Sequence, residues 1–251
     1  MICRTAIVAA MTAGLVEDPR PDSVGYIDST VLPARCHWAD EADATLCDIA
    51  LAALEVAWPI QVEQMGFYPP MPDDDGLLDL YITEQWTGGG AYALGTYTDE
   101  DTEDGRMGSH AYIALAPSIG PDLMASYVDH EFNHVLQYGT DFTENLLVLW
   151  EGTANIAAWY VHPDVALDEF AMFDFQATPW AGLMIDSYRL ADDYGLWSYY
   201  EYGAMLWNLF LEDGWGGSGE ASAALWALGA QDGWDNEPDM LDALDLLTGD
   251  W

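Results

Sequence analysis

Apolar positions along the chain fall into two spacings. Residues 41–66 place Ala, Leu, Ile and Val at helical intervals, with Asp40 or Asp43 available as a cap and Gly66 as a stop. Pro59 lacks an amide hydrogen, so the pattern predicts a kink or a break in that helix. Pro69, Pro70, Pro72 and the run Asp73–Gly76 read as a turn leading into a strand, Leu77–Thr83. Residues 87–109 are rich in Gly, Thr and Asp and read as loop. His110–Ala116 reads as a second strand, stopped by Pro117. From Pro121 onward the spacing is helical, over 122–138, 144–161, 198–213, 219–229 and 238–248. One helix and the strands come first and helices follow, which predicts an α+β fold of two lobes. The division falls near Gly139–Asp141, between an α/β lobe (1–139) and a mainly helical lobe (140–251).

Composition narrows the function. The chain has 251 residues, 51% hydrophobic, enough for a substantial core. It carries 44 acidic and 5 basic residues, a formal net charge of −39, and every basic residue is an arginine. Such a surface repels phosphate backbones and anionic lipid headgroups, so nucleic acids and membrane surfaces are not expected partners. No uninterrupted apolar run reaches the roughly 18 residues of a membrane span, so membrane insertion is not expected. Residues 5–16, after Arg4, fit either a short signal-peptide core or a short buried helix. Of three cysteines, Cys36 and Cys47 suit a disulfide in an extracellular protein, and Cys3 is left over. No Cys-x-x-Cys pair offers a thiolate zinc site.

The chemistry concentrates at His130-Glu131-Phe132-Asn133-His134, an H-E-x-x-H motif within a helical segment. Histidines at i and i+4 leave one helix face about 5–6 Å apart at Cβ, so both imidazoles can reach one Zn²⁺. Glu131 stands beside the first ligand, placed to hold a water at the ion without itself being a ligand. With five His and fifteen Glu, chance would produce the motif only about 0.006 times in such a chain. A catalytic zinc site needs a third protein ligand and an open position. The metzincin continuation requires Gly at 137 and His at 140, where this chain has Gln137 and Thr140. Glu151 lies sixteen intervening residues beyond His134, inside an apolar helical segment where an unpaired carboxylate would be costly. It is the first candidate for third ligand; Asp129, Asp141 and His162 are the alternatives. Glu144 reads as a helix cap.

The pair HEFNH and WEGTAN resembles the gluzincin metallopeptidases, the peptidase MA-like set that includes thermolysin-like enzymes, aminopeptidase-N-like enzymes and bacterial collagenases. The likeness runs over about residues 45–212 and is concentrated in the two motifs. The separation of the motifs is slightly shorter than the roughly 18–19 residues usual in the set. The resemblance implies a zincin-like fold with the active-site cleft between the lobes. It implies one catalytic Zn²⁺ on His130, His134 and Glu151, with Glu131 as general base. It also implies a peptide or protein substrate and a secreted or cell-surface bacterial origin.

Three further assignments follow from the same resemblance. Asn155 stands where thermolysin-like members use an Asp to hold a zinc histidine. The segment Tyr200-Glu201-Tyr202-Gly203-Ala204 resembles the Tyr-x-x-Gly-Ala of aminopeptidase-N-like enzymes, which makes Tyr200 the oxyanion donor, with Tyr202 and Tyr199 as substitutes. The strand before the zinc helix takes the place of the cleft-lining edge strand, so Ala111, Tyr112, Ile113 and Ala114 would bind substrate through the main chain. Asp73, Asp75 and Asp79 could gather around Ca²⁺, although their spacing is not that of an EF-hand. No phosphate loop and no G-x-S-x-G elbow is present. A catalytically inactive binding or adhesion domain on the same scaffold, or a metal that merely cross-links two helices, are the rival readings.

Overall fold

The computed structural model describes residues 20–96, 105–164, 169–183, 185–230 and 237–249. The possible signal-peptide core at 5–16 and Cys3 lie outside the described residues.

The fold is α+β, built on one mixed five-stranded sheet. Its strands are β1 (Gly25–Asp28), β2 (Ala34–Trp38), β3 (Leu78–Ile82), β4 (Ala91–Gly95) and β5 (Ala111–Leu115), in the order β1-β2-β3-β5-β4. β2, β3 and β5 run parallel, while β1 and β4 are antiparallel to their neighbours. The expected strands at 77–83 and 110–116 are β3 and β5. β1 and β2 had no counterpart in the pattern, and β4 sits inside the segment read as loop. All five residues of β3 and of β5 are buried. Leu80, Ile82, Ile113 and Leu115 join the main core, while Tyr81, Tyr92, Leu94, Tyr112 and Ala114 pack together as a separate cluster. This is the two-residue alternation of a pleated sheet.

Helix α1 (Ala44–Trp58) follows a single turn at Glu41–Asp43, capped by Asp40 through its bond from the Ala42 N–H at 2.9 Å. Pro59 does not break the helix. It cannot donate to the preceding turn, and the chain widens into a π-helical turn, Pro59–Gln64. Glu41–Gln64 is thus one continuous helical segment, long and apolar enough by length and composition alone to cross a membrane. Its residues Cys47, Ala50, Leu54 and Ala57 are fully buried in the core. Cys47 is joined to Cys36 of β2 by a disulfide, with Cα atoms 5.4 Å apart.

The helical part comprises α2 (Pro121–Thr140), α3 (Leu147–Val161), α4 (Glu169–Ala177), α5 (Ser187–Tyr194), α6 (Tyr200–Gly203), α7 (Met205–Trp215), α8 (Glu220–Gly229) and α9 (Met240–Thr248). The pattern missed α4 and α5, and it merged α6 with α7, which part at Ala204. The main apolar cluster runs from Ala34 and Leu54 through Phe132 and Trp150 to Leu225 and Leu244. It therefore crosses the expected lobe division at 139/140.

Gly203 has a steric reason. A Cβ there would lie 2.1 Å from the Ala171 carbonyl oxygen and 2.8 Å from the Phe175 Cβ, where α6 meets α4. Gly203→Ala is expected to lower the unfolding free energy by about 3 kcal/mol, read from urea denaturation; an unchanged midpoint would refute the tight contact.

Glu144, just before α3, is buried and accepts bonds from the N–H groups of Asn145 and Leu146, both at 2.7 Å. Burial outweighs these bonds and pushes its pKa up to about 7. The folded chain therefore keeps a proton at Glu144 that the unfolded chain releases above about pH 4.5. That contribution to stability is present below pH 4.5 and is lost as pH rises to 7. Glu144→Gln is expected to flatten the fall in stability between pH 5 and 7.5, by about 3 kcal/mol at most. Parallel denaturant curves at the two pH values check this, and identical slopes for parent and variant would contradict it.

Candidate metal centre

Helix α2 carries both histidines on its inner face, one turn apart. Their Nε2 atoms are 3.0 Å apart and their rings nearly perpendicular, at 86°. Helix α3 crosses α2 and brings in Glu151, whose Oε2 lies 3.3 Å from His130 Nε2 and 3.5 Å from His134 Nε2. All three residues are buried. Among the described residues, this group of three could hold a metal ion. The three separations bracket the edge of about 3.3 Å expected for a tetrahedron of ligands 2.0–2.1 Å from Zn²⁺. Glu151 Oε2 makes no hydrogen bond within ordinary geometry, and the groups paired with it are the two imidazoles. Burial works against its charge, but the two imidazoles prevail and hold the Glu151 carboxyl well below the usual range.

The neighbours of Glu151 serve packing. A Cβ on Gly152 would come 2.7 Å from Asn208 Nδ2 and 3.4 Å from Ala204, so Gly152 lets α3 approach the α6–α7 junction. Trp150 packs on Tyr138 at 4.8 Å and on Trp226 at 5.0 Å, which presses α3 onto α2.

Glu131 lies beside the cluster, almost fully buried, and receives a backbone hydrogen bond from Ala93 of β4. Its other oxygen, Oε2, has no partner. Burial raises its pKa, opposed by the nearby imidazoles. A carboxylate raised by burial and left with a free lone pair suits a proton acceptor.

No protein-family model, no curated protein and no solved structure matches this chain. The candidate site therefore rests on its own geometry.

Several expected residues sit differently. Tyr200 is buried, its ring stacked on Phe175 at 4.9 Å and its hydroxyl donating to the Ala181 carbonyl at 3.0 Å. The tyrosine ring beside the cluster is that of Tyr202, 6.2 Å from the His130 ring and within 18° of parallel. Two positions along a helix rotate a side chain by about 200°, which separates these neighbours. Asn155 donates to the Tyr202 carbonyl at 3.1 Å and ties α3 to α6. The partner that the structure gives a cluster histidine is Gln137, whose Oε1 lies 2.7 Å from His134 Nδ1. A polar residue three positions after His134, on the same helix face, was a readable signal for it.

Ala111, Tyr112, Ile113 and Ala114 belong to β5, which is paired on both sides and so is not the edge strand. That edge is β4. Gly90 O accepts from Ala116 N–H and Thr96 N–H donates to His110 O, so even-numbered residues of β4 bond to β5. Ala91, Ala93 and Gly95 turn their backbone groups outward.

The other ligand candidates have partners of their own. Asp129 pairs with His162 at the end of α3. Asp141 accepts from the N–H and hydroxyl of Thr143, at 2.9 and 2.6 Å. The acids considered for Ca²⁺ meet arginines, with Asp73 and Asp79 on Arg20 and Asp75 on Arg35.

Proposed function

We propose that this chain is a zinc-dependent peptidase of gluzincin type, secreted or displayed at a bacterial cell surface. The observation that carries this reading is the buried set of two imidazoles and one carboxylate beside a second buried carboxylate, Glu131, that is not a ligand. His130, His134 and Glu151 would hold the ion, which would supply Lewis acidity and lower the pKa of a water. Two nitrogens and one oxygen are a donor set suited to Zn²⁺, and three protein ligands leave a position open for chemistry.

Glu131 orients that water through its unpaired Oε2 and takes its proton as the water oxygen attacks the scissile carbonyl. It then delivers the proton to the departing amine nitrogen as the C–N bond breaks. The Ala93 N–H holds the other carboxylate oxygen, so the base keeps its aim. An extended peptide pairs with the outward backbone groups of Ala91 and Gly95 and with the Ala93 carbonyl, beside Glu131, which takes the Ala93 N–H. Tyr202, in place of Tyr200, is the phenol we assign to the developing oxyanion, because its ring lies beside that of His130. The Cys36–Cys47 bond and the large acidic excess suit an oxidising, extracellular setting.

A quenched fluorescent peptide library, assayed with zinc, with chelator and after zinc is restored, tests the proposal. Cleavage that disappears and returns with the metal is expected. Zinc binding without any cleavage would favour the inactive scaffold.

A further inference from the structure

The amide of Gln137 touches more of the candidate centre than a single hydrogen bond implies. Its oxygen lies against His134 Nδ1 at 2.7 Å. Its nitrogen lies 3.0 Å from the Trp150 carbonyl oxygen, 2.6 Å from Thr153 Oγ1 and 2.9 Å from Asn133 Oδ1. Trp150 immediately precedes Glu151. One side chain thus links the second histidine to the turn of α3 that carries the carboxylate.

Backbone carbonyls fix the polarity of this amide. The Trp150 carbonyl can only accept, so it requires the NH₂ end of Gln137. A second anchor acts from the opposite direction. Gln61, in the π-helical turn after Pro59, donates from Nε2 to the Asp129 carbonyl at 2.7 Å. That leaves its oxygen to accept from Asn133 Nδ2 at 3.0 Å, and Asn133 Oδ1 then faces Gln137. Gln61, Asn133 and Gln137 are all fully buried. A buried chain of amides anchored at both ends on carbonyl oxygens has one satisfied arrangement, and the reversed one would set amide oxygens against those carbonyl oxygens. In that arrangement Gln137 presents an acceptor to His134, so the imidazole proton resides on Nδ1 and the Nε2 lone pair faces Glu151 and His130.

We propose that Gln137 is the positioning residue of the metal centre. It selects the ligating tautomer of His134 and, through the Trp150 carbonyl, holds the Glu151 turn at its distance from α2. The proposal rests on reading the cluster as a metal site, and its test reads metal affinity and tautomer rather than turnover.

Zinc affinity is measured by competition with a chromophoric chelator for the parent, Gln137→Met and Gln137→Glu. Ring ¹⁵N shifts of His134 are recorded on the same metal-free proteins. The parent is expected to carry the Nδ1–H tautomer. Gln137→Met is expected to lose that preference and to bind zinc about 10–100-fold more weakly. Gln137→Glu keeps the acceptor toward His134 but sets a carboxylate oxygen against the Trp150 carbonyl and Asn133 Oδ1, and is expected to keep the tautomer while recovering only part of the affinity. A parent with the proton on Nε2 would overturn the proposal whether or not the variants fold. So would Met and Glu variants equally weakened with unchanged His134 shifts, the pattern of a merely structural residue. A parent that binds no zinc at all would sink the metal reading itself.

Discussion

Glu131→Gln is expected to bind zinc as tightly as the parent and to hydrolyse peptides at least about a hundredfold more slowly. Glu131 is outside the three-residue cluster, so its loss removes no ligand. Glutamine keeps the volume and keeps an oxygen to accept the Ala93 N–H, so the buried site retains its packing and its contact with β4. Only proton affinity disappears. A neutral amide oxygen cannot take a proton from water at neutral pH, and general acid–base groups are worth about 10²–10⁴ in rate. Metal content after dialysis and initial rates on the same preparations separate the two effects. Equal rates for variant and parent would remove Glu131 from the mechanism and the peptidase proposal with it.

His134→Ala is expected to lose both zinc and activity, with affinity reduced by more than about a hundredfold. Two ligands would remain, one a carboxylate on a neighbouring helix. A second consequence follows from burial. His134 is buried, and its Nδ1–H donates to the oxygen of the fully buried Gln137. Without His134 that oxygen loses its donor and the missing imidazole leaves a cavity, which together cost about 3 kcal/mol. The metal-free variant is therefore expected to unfold at lower denaturant than the metal-free parent. Atomic absorption after dialysis reads the first effect and a urea curve the second. Stoichiometric zinc in His134→Ala would show that the ion binds elsewhere.

Much of this site was readable from one dimension. His130 and His134 are neighbours on any α-helix, whatever surrounds it, because 3.6 residues per turn fixes their separation. Glu151 was marked by its cost, a carboxylate within an apolar helical run. The helices α1, α2 and α3 declared themselves through periodicity, as did β3 and β5 through short apolar runs. The weakly apolar strands did not. β1 is largely exposed and β4 is embedded in glycine and threonine, so neither carries a pattern distinguishable from loop. α5 buries only Leu190.

The sequence by itself determined which residues can form the candidate centre: two imidazoles set by helical spacing, a second carboxylate, Glu131, beside them and a buried carboxylate, Glu151, on the next helix. Tertiary structure decided which groups surround them. Sheet order depends on hydrogen bonds between strands far apart in the chain, and it made β4 the edge in place of β5. The meeting of α6 with α3 and α4 turned Tyr200 into the core and Tyr202 toward His130. The amide of Gln137 gained its direction from the Trp150 and Asp129 carbonyls, whose positions exist only once the helices have packed. Local periodicity names a face, but the partner on that face is a long-range fact.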